Sequence, residues 1–365
     1  MLIGSIYGWE NGVDDIFNPQ SPRNRDNCLE PMRILREVAA NQGIELHTAD
    51  VNQKSGITPD FTIYVESIDF VQTLAKKHYL ILYETPLTVP KNADVQYLEQ
   101  FDGIFTWNQD LLANGFIDSQ GRSIAKDRFI EIFHPNPIPE QCSNDFKSMD
   151  FAQRKDFLCL IGSNRHANAH DERELYSERV KAIRWFEQHK PGSLKLYGNG
   201  WKVPQKRFGK LGKLRYRMEK IYPWLMSKPV FPSYQGPVTT KQEVLSKTKF
   251  CICFENARDI PGYITEKIFD CLFAGCIPIY WGDANVGQAL PKEAYIDFRQ
   301  FKNFAELSEY LLSISAEMFG SYQAAAVRFL KSTDFLPYTS NSFAQRLVSH
   351  ISRDLAAPDS SCATQ

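Results

Sequence analysis

Glu255, Asn256, Tyr263, Glu266 and Lys267 fall within thirteen residues of one another, in the stretch FENARDIPGYITEK. They flank a loop with a Pro–Gly break, Ala257 to Gly262, and open the helix expected after it. In a parallel α/β sheet, ligands sit beyond the carboxyl ends of the strands, against helix N-termini. All five residues fall at that edge. Lys267 is the most informative of them. An ammonium in the first helical turn opposes the helix dipole, at a cost of roughly a few tenths of a kcal/mol or more. A docked diphosphate reverses the sign of that interaction, and Lys267 then joins the helix N–H groups in neutralising a leaving nucleotide. The competing reading is an ordinary exposed lysine neutralised by its neighbour Glu266. Spacing alone leaves both open.

Other reactive residue types give less. Asn164 and Arg165 follow the apolar run FLCLIGS, where a ligand of the same sheet could be touched, and plain loop chemistry accounts for them equally well. His166 and His170 stand four apart in a polar stretch, and the remaining histidines are scattered, so no metal site is expected. The eight cysteines include no C-x-x-C pair and no histidine at zinc spacing. Cys159, Cys251, Cys253 and Cys271 lie in apolar patterns and read as buried thiols.

An alternating scaffold must position these residues. Around the first cluster the sequence reads as one βαβ unit. Phe250 to Phe254 is a short buried strand, and Glu266 to Ala274 is a helix with Ile268, Cys271 and Leu272 on one face. Gly275 stops that helix, and Ile277 to Trp281 is the next strand. MLIGSIYGW, IELHTAD, DFTIYVE, YLILYE, GIFTWN and RFIEIF also read as strands. LEPMRILREVAANQG reads as a helix, and so do FVQTLAKKH and VQYLEQF. The Pro- and Asn-rich HPNPIPEQCSNDFKSMD breaks the series. A second series follows, with strand DFLCLIGS, helix ELYSERVKAIRWFEQH and strand SLKLYG. The pattern predicts an α/β protein of two domains, 1–150 and 151–345, with a terminal helix and disordered tail over 346–365.

Composition narrows the function classes. The 365 residues suffice for two cores, at 43% hydrophobic and 13% aromatic. Lys plus Arg is 42 against 43 for Asp plus Glu, which argues against a general nucleic-acid binder. No apolar run approaches the roughly 18 residues that span a bilayer. The opening residues read as a strand, not a signal peptide. The expected compartment is the cytoplasm, including the inner face of the cell membrane. Residues 201–232 stand apart, with nine cations against the single acid Glu219. They are either a solvated excursion or a contact for a membrane surface or an anionic, lipid-linked acceptor.

FENARDIPGYITEKIFDCLFAGCIPIYWG resembles the signature of the α-1,3-fucosyltransferases of glycosyltransferase family 10. The matching positions are Phe254-Glu255-Asn256, Tyr263-Ile264-Thr265-Glu266-Lys267, Ile277-Pro278-Ile279 and Gly282. Weaker likenesses cover FLCLIGSN with Arg179 on the following helix, Tyr197-Gly198, the lead-in from Tyr234 to Lys241, and Tyr83-Glu84-Thr85-Pro86. The resemblance implies a GT-B fold, two Rossmann-like domains facing across a cleft. It implies GDP-fucose as donor, inversion at the anomeric carbon, and a glycan acceptor, GlcNAc-containing and joined through an α-1,3 or α-1,4 linkage. No metal or other cofactor is implied. By position, Arg179 and Lys267 bind the diphosphate. Asn256, Tyr263 and Glu266, with Glu255 and Asn164 beside them, hold the nucleotide, ribose and sugar. Glu84, at the end of YLILYE, is the general base on the acceptor hydroxyl, with Glu66 at the end of DFTIYVE the next carboxylate in line. On residue context alone, Glu84 reads equally as a strand-end glutamate in solvent. Two further functions remain open: a transferase of the same fold using another nucleotide-activated deoxysugar, and a non-catalytic carbohydrate-binding scaffold.

Overall fold

The computed structural model describes residues 1–8, 12–66, 68–139, 150–168, 170–206, 209–225 and 229–357, with the backbone alone at 210, 215 and 222–225. It forms two compact units, Met1–Pro137 with Leu336–Gln365, and Ile138–Phe335.

The first unit is built on a six-stranded parallel sheet in the order β2-β1-β3-β4-β5-β8. Its strands are β1 Leu2–Tyr7, β2 Ile44–Thr48, β3 Phe61–Val65, β4 Lys77–Ile81, β5 Gly103–Thr106 and β8 Phe129–Glu131. A small antiparallel ribbon, β6 Phe116–Ile117 with β7 Ser123–Ile124, stands outside it. Every residue of β3 is buried, as a parallel strand covered on both faces requires. The helix Glu30–Asn41 lays Met32, Leu35 and Ala39 on the sheet. The terminal helix Ser340–Ala356 returns to the same core with Phe343, Leu347 and Ile351. That return joins Leu336 onward to the first sheet, a connection that sequence boundaries at 150 and 345 do not contain. Residues 358–365 of the expected tail lie outside the described residues.

The second sheet runs β11-β10-β9-β12-β13-β14, again parallel. Its strands are β9 Asp156–Ile161, β10 Leu194–Tyr197, β11 Tyr234–Gly236, β12 Thr248–Ile252, β13 Ile277–Tyr280 and β14 Ile296–Asp297. From β9 the chain moves outward through the helix Tyr176–His189 to β10. From β12 it moves the other way, through the helix Glu266–Phe273 to β13. The order therefore reverses between β9 and β12. In doubly wound sheets that reversal opens the crevice where ligands bind. Leu158, Leu160, Phe250, Ile252, Ile277 and Ile279 fill the core under it with Ile183 and Phe186 of the first of these helices. Arg154 is buried at the foot of β12. Its Nη1 donates to the carbonyls of Leu245 and Thr248 (2.9 and 2.8 Å), and its Nη2 to that of Ala274 (2.7 Å), tying the strand entry to the end of the helix Glu266–Phe273.

Several elements differ from the sequence expectation. FVQTLAKKH is not a helix: residues 68–76 are irregular and β4 starts at Lys77. Phe70 packs against the rings of both Tyr64 and Phe101 (centroids 5.5 Å to each), which themselves meet edge to face at 5.3 Å, and the Tyr64 hydroxyl donates to the Val71 carbonyl at 2.6 Å. Leu74 is left 84% exposed, so the segment's apolar residues share no buried face. VQYLEQF shrinks to the single turn Val95–Leu98, capped by Asp94. β4 ends at Ile81, so Glu84 sits beyond the strand in a turn. Residues 201–232 contain a helix, Gly209–Leu225.

Candidate functional site

The reversal point of the second sheet gathers most of the predicted residues. Glu255, just beyond β12, is fully buried. Its Oε1 accepts from the Thr265 backbone N–H at 2.9 Å, and its Oε2 from the Thr265 hydroxyl at 2.8 Å and Lys267 Nζ at 3.0 Å. Lys267 is thus paired with Glu255, and the carboxylate of its neighbour Glu266 faces Lys241 Nζ at 3.6 Å. The reason is geometric. Thr265 is the N-cap of the helix, yet its hydroxyl is engaged with Glu255 and caps no backbone N–H. The first-turn N–H groups are left without that capping oxygen, at the positive end of the helix. The Lys267 side chain keeps 22% of its surface exposed beside them. Gly282 makes room for the arrangement, since a Cβ there would lie 2.6 Å from Glu255 Cγ and 2.4 Å from the Tyr280 hydroxyl.

Arg179 projects from the helix Tyr176–His189 into the end of β12. Its Nε and Nη2 donate to the Phe254 carbonyl (3.2 and 2.6 Å), and Nη2 also donates to Asn256 Oδ1 at 2.9 Å. Asn256 Nδ2 in turn donates to the Tyr263 hydroxyl at 3.2 Å. Arg179 Nη1 has no hydrogen-bond partner among the described residues. Asn256 and Tyr263 are buried, so they form the frame of the edge while Glu266 and Lys267 lie at its surface. Asn164 follows β9 and bonds elsewhere: its Nδ2 donates to the carbonyls of Gly200 and Val203 at 3.0 and 2.8 Å. Its Oδ1 is buried without a hydrogen-bond partner. The loop it staples needs glycine at 198, where φ is +121° and a Cβ would stand 2.1 Å from the Gly162 carbonyl oxygen.

The structure therefore links Arg179, Asn256 and Tyr263 in one chain of hydrogen bonds, and Glu255 with Lys267 in another. Glu266 flanks the second, and Asn164 occupies the neighbouring strand end. Thr265 and Gly282 were within the quoted signature but carried no assigned role. Asp283 was missed altogether. It is buried, accepts from the Gly262 N–H at 2.8 Å, and fixes the Pro–Gly loop. A cavity of about 340 Å³ beyond β13 and β14, lined by Asn285, Lys292, Tyr295, Asp297 and Arg299 among others, adjoins it; no sequence signal marks this cavity. Cys159, Cys251, Cys253, Cys271 and Cys276 are buried free thiols, and burial pushes the Cys159 and Cys253 thiols up. Cys142 and Cys362 lie outside the described residues.

Glu84 belongs to the first unit. Its N–H and that of Tyr83 donate to Glu66 Oε1 at 2.7 and 2.8 Å, and Asn92 Nδ2 bridges Glu66 Oε2 (2.7 Å) to the Glu84 carbonyl (2.8 Å). The backbone of Glu84 is thus fixed on both sides while its side chain is half-buried. Glu66 is 5% exposed, and burial pushes its carboxyl up to about 7. Its contacts make it the anchor of the turn that carries Glu84.

Residues 153–324 match the family described as glycosyltransferase family 10 (fucosyltransferase), C-terminal part. The match takes in just under half of the chain. An α-(1,3)-fucosyltransferase of Helicobacter pylori is 43% identical over 74 residues, 20% of this chain and 15% of that protein. An α-(1,4)-fucosyltransferase of Arabidopsis thaliana is 37% identical over 67 residues, 18% of this chain and 16% of that protein. The chain thus spans about a sixth of the length of these curated relatives. A crystal structure of an α1,3-fucosyltransferase with GDP superposes with a TM-score of 0.54 at 16% identity, covering 98% of this chain and 91% of that one. The Anabaena protein HepE in complex with UDP-glucose superposes with a TM-score of 0.52 at 10% identity, covering 96% and 99%. The fold is GT-B, with two Rossmann-like α/β domains.

Proposed function

We propose that the chain transfers fucose from GDP-fucose to a hydroxyl of a glycan acceptor, with inversion at the anomeric carbon. One observation carries this reading: the family 10 signature residues are joined by hydrogen bonds at the reversal point between β9 and β12, the edge where doubly wound sheets bind ligands. The names of the family and of its relatives support fucose, and the GDP complex of the solved α1,3-fucosyltransferase supports GDP. The names of the Helicobacter pylori and Arabidopsis thaliana relatives support an α-1,3 or α-1,4 linkage, and a further relative, named as a 4-galactosyl-N-acetylglucosaminide 3-α-L-fucosyltransferase, supports a GlcNAc-containing acceptor.

In this reading the acceptor oxygen attacks the anomeric carbon as the bond from that carbon to the diphosphate breaks. The bonding pair leaves on GDP, and the acceptor proton passes to Glu84. Charge growing on the diphosphate is met by Lys267, Arg179 and the uncapped first turn of the helix Glu266–Phe273. Such pre-placed donors and cations stabilise charge as it develops. No metal ion is called for. Asn256 and Tyr263 hold the shape of the donor site through Arg179, and Glu255 holds Lys267. Asn164 and Glu266 flank it.

The test is transfer from GDP-fucose to N-acetyllactosamine, lactose and lipid-linked glycans, with UDP- and dTDP-activated sugars in parallel. The reading expects fucosylated product from GDP-fucose alone. Product from a UDP- or dTDP-sugar and none from GDP-fucose would replace the donor. An absence of both product and nucleotide binding would favour a scaffold.

A further inference from the structure

The helix Gly209–Leu225 is turned inside out. At 100° per residue, Gly212, Tyr216 and Glu219 share one side, and these three are the half-buried residues of the helix among those whose side chains are described. The opposite side carries Leu211, Leu214, Met218 and Ile221, which are 84%, 53%, 56% and 54% exposed. Their i, i+3, i+7, i+10 spacing makes a continuous stripe about 80° wide along some three turns. An amphipathic helix of a globular unit normally buries that stripe. A contiguous apolar face pointing into solvent marks an interaction surface.

The charges beside the stripe say what covers it. Lys213, Arg217 and Lys220 are exposed along one flank, and Lys202 and Lys206 are exposed in the segment leading into the helix. Glu219 is the single acid of residues 201–232, and it lies on the half-buried side. Two copies packed stripe to stripe would bring these cations together. A convex helix with one apolar stripe and a cationic flank matches the boundary between headgroups and acyl chains of an anionic bilayer, where apolar side chains enter and Lys and Arg meet phosphate. We propose that this helix docks the chain peripherally on an anionic membrane surface, lying in the interface plane. The proposal does not rest on the donor or the acceptor of the reaction.

Sedimentation of the full chain with vesicles tests it, using phosphatidylcholine alone and phosphatidylcholine with roughly one third phosphatidylglycerol. The wild type is expected to bind the anionic vesicles and to release as salt is raised, leaving neutral vesicles almost unbound. A variant carrying Leu211→Gln, Leu214→Gln, Met218→Gln and Ile221→Gln should lose about tenfold or more in affinity. A variant carrying Lys213→Gln, Arg217→Gln and Lys220→Gln should lose about a hundredfold. Both should melt within a few degrees of wild type, since neither set is buried, and a variant that fails to fold is replaced by its single substitutions. Wild-type chain that ignores anionic vesicles, or variants that bind them as well as wild type, would overturn the proposal. So would a wild-type dimer in light scattering that the apolar variant abolishes, because the stripe would then be covered by a second copy. An anionic protein that competes for the stripe while vesicles do not would assign it to a protein partner.

Discussion

In the proposed reaction Glu84 and Glu66 divide two duties between neighbouring carboxyls. Glu84 has its backbone held and its side chain partly in solvent, which suits a base that must meet a mobile hydroxyl. Glu84→Gln keeps the size but cannot take a proton. Transfer should fall by roughly 10² or more, in kcat, with GDP affinity near wild type. A variant with near-normal turnover would move the base elsewhere. Glu66 makes a different prediction. Its folded carboxyl sits at about 7 against an ordinary value of 4.5, so the native state binds the proton more tightly than the unfolded chain. The favourable contribution is complete below pH 4.5 and is lost as pH rises through 7. It amounts to roughly 3 kcal/mol at 1.36 kcal/mol per pH unit. Glu66→Gln should remove that slope, so urea unfolding should show the variant gaining on wild type from about pH 5 to about pH 7.5. Parallel curves would place the burial effect on another group. Both glutamates were legible as strand-end carboxylates. That one would anchor the other was not, because the bonds run to backbone N–H groups that no residue type announces.

The helix Glu266–Phe273 shows how an element converts sequence into a site. Its start was legible from Glu266 and the apolar face of Ile268, Cys271 and Leu272 behind it. The partner of Lys267 was not, because Glu255 lies twelve residues away and reaches it only once the Pro–Gly loop folds back. The pairing changes what Lys267→Ala would do. Removing the ammonium leaves a buried carboxylate with Thr265 alone, which costs about 2–4 kcal/mol in a pair of this kind. GDP affinity should fall with it. Glu255→Gln combined with Lys267→Met should recover most of the stability and leave GDP binding weak, separating the structural duty from the ligand duty by thermal melting and titration. A double variant that binds GDP like wild type would release Lys267 from the donor site. Arg154 is an element-scale device of another sort. Arg154→Met leaves three buried carbonyls without their donor and should lower stability by about 3 kcal/mol or more in urea unfolding. An unchanged midpoint would show that water or relaxation replaces the guanidinium.

At the scale of the whole molecule, alternating strands and helices are enough to announce two parallel α/β units. Buried parallel strands such as FTIYV and IPIY are near-continuous apolar runs that few other structures need. Strand order is not legible in this way, and it decides where the ligand edge lies. The reversal between β9 and β12 emerges only when β12 pairs with β9 and not with β11. The return of the helix Ser340–Ala356 to the first unit was equally hidden, since an amphipathic stripe does not name the surface it covers. The central claim is that the edge between β9 and β12 holds GDP through cations and a helix N-terminus. Calorimetric titration of the full chain with GDP, UDP and dTDP in the presence of a chelator tests it most directly. The account predicts that GDP binds without metal and at least about tenfold tighter than the other two, a difference of about 1.4 kcal/mol. Equal affinity for all three nucleotides, or binding that vanishes with the chelator, would contradict it.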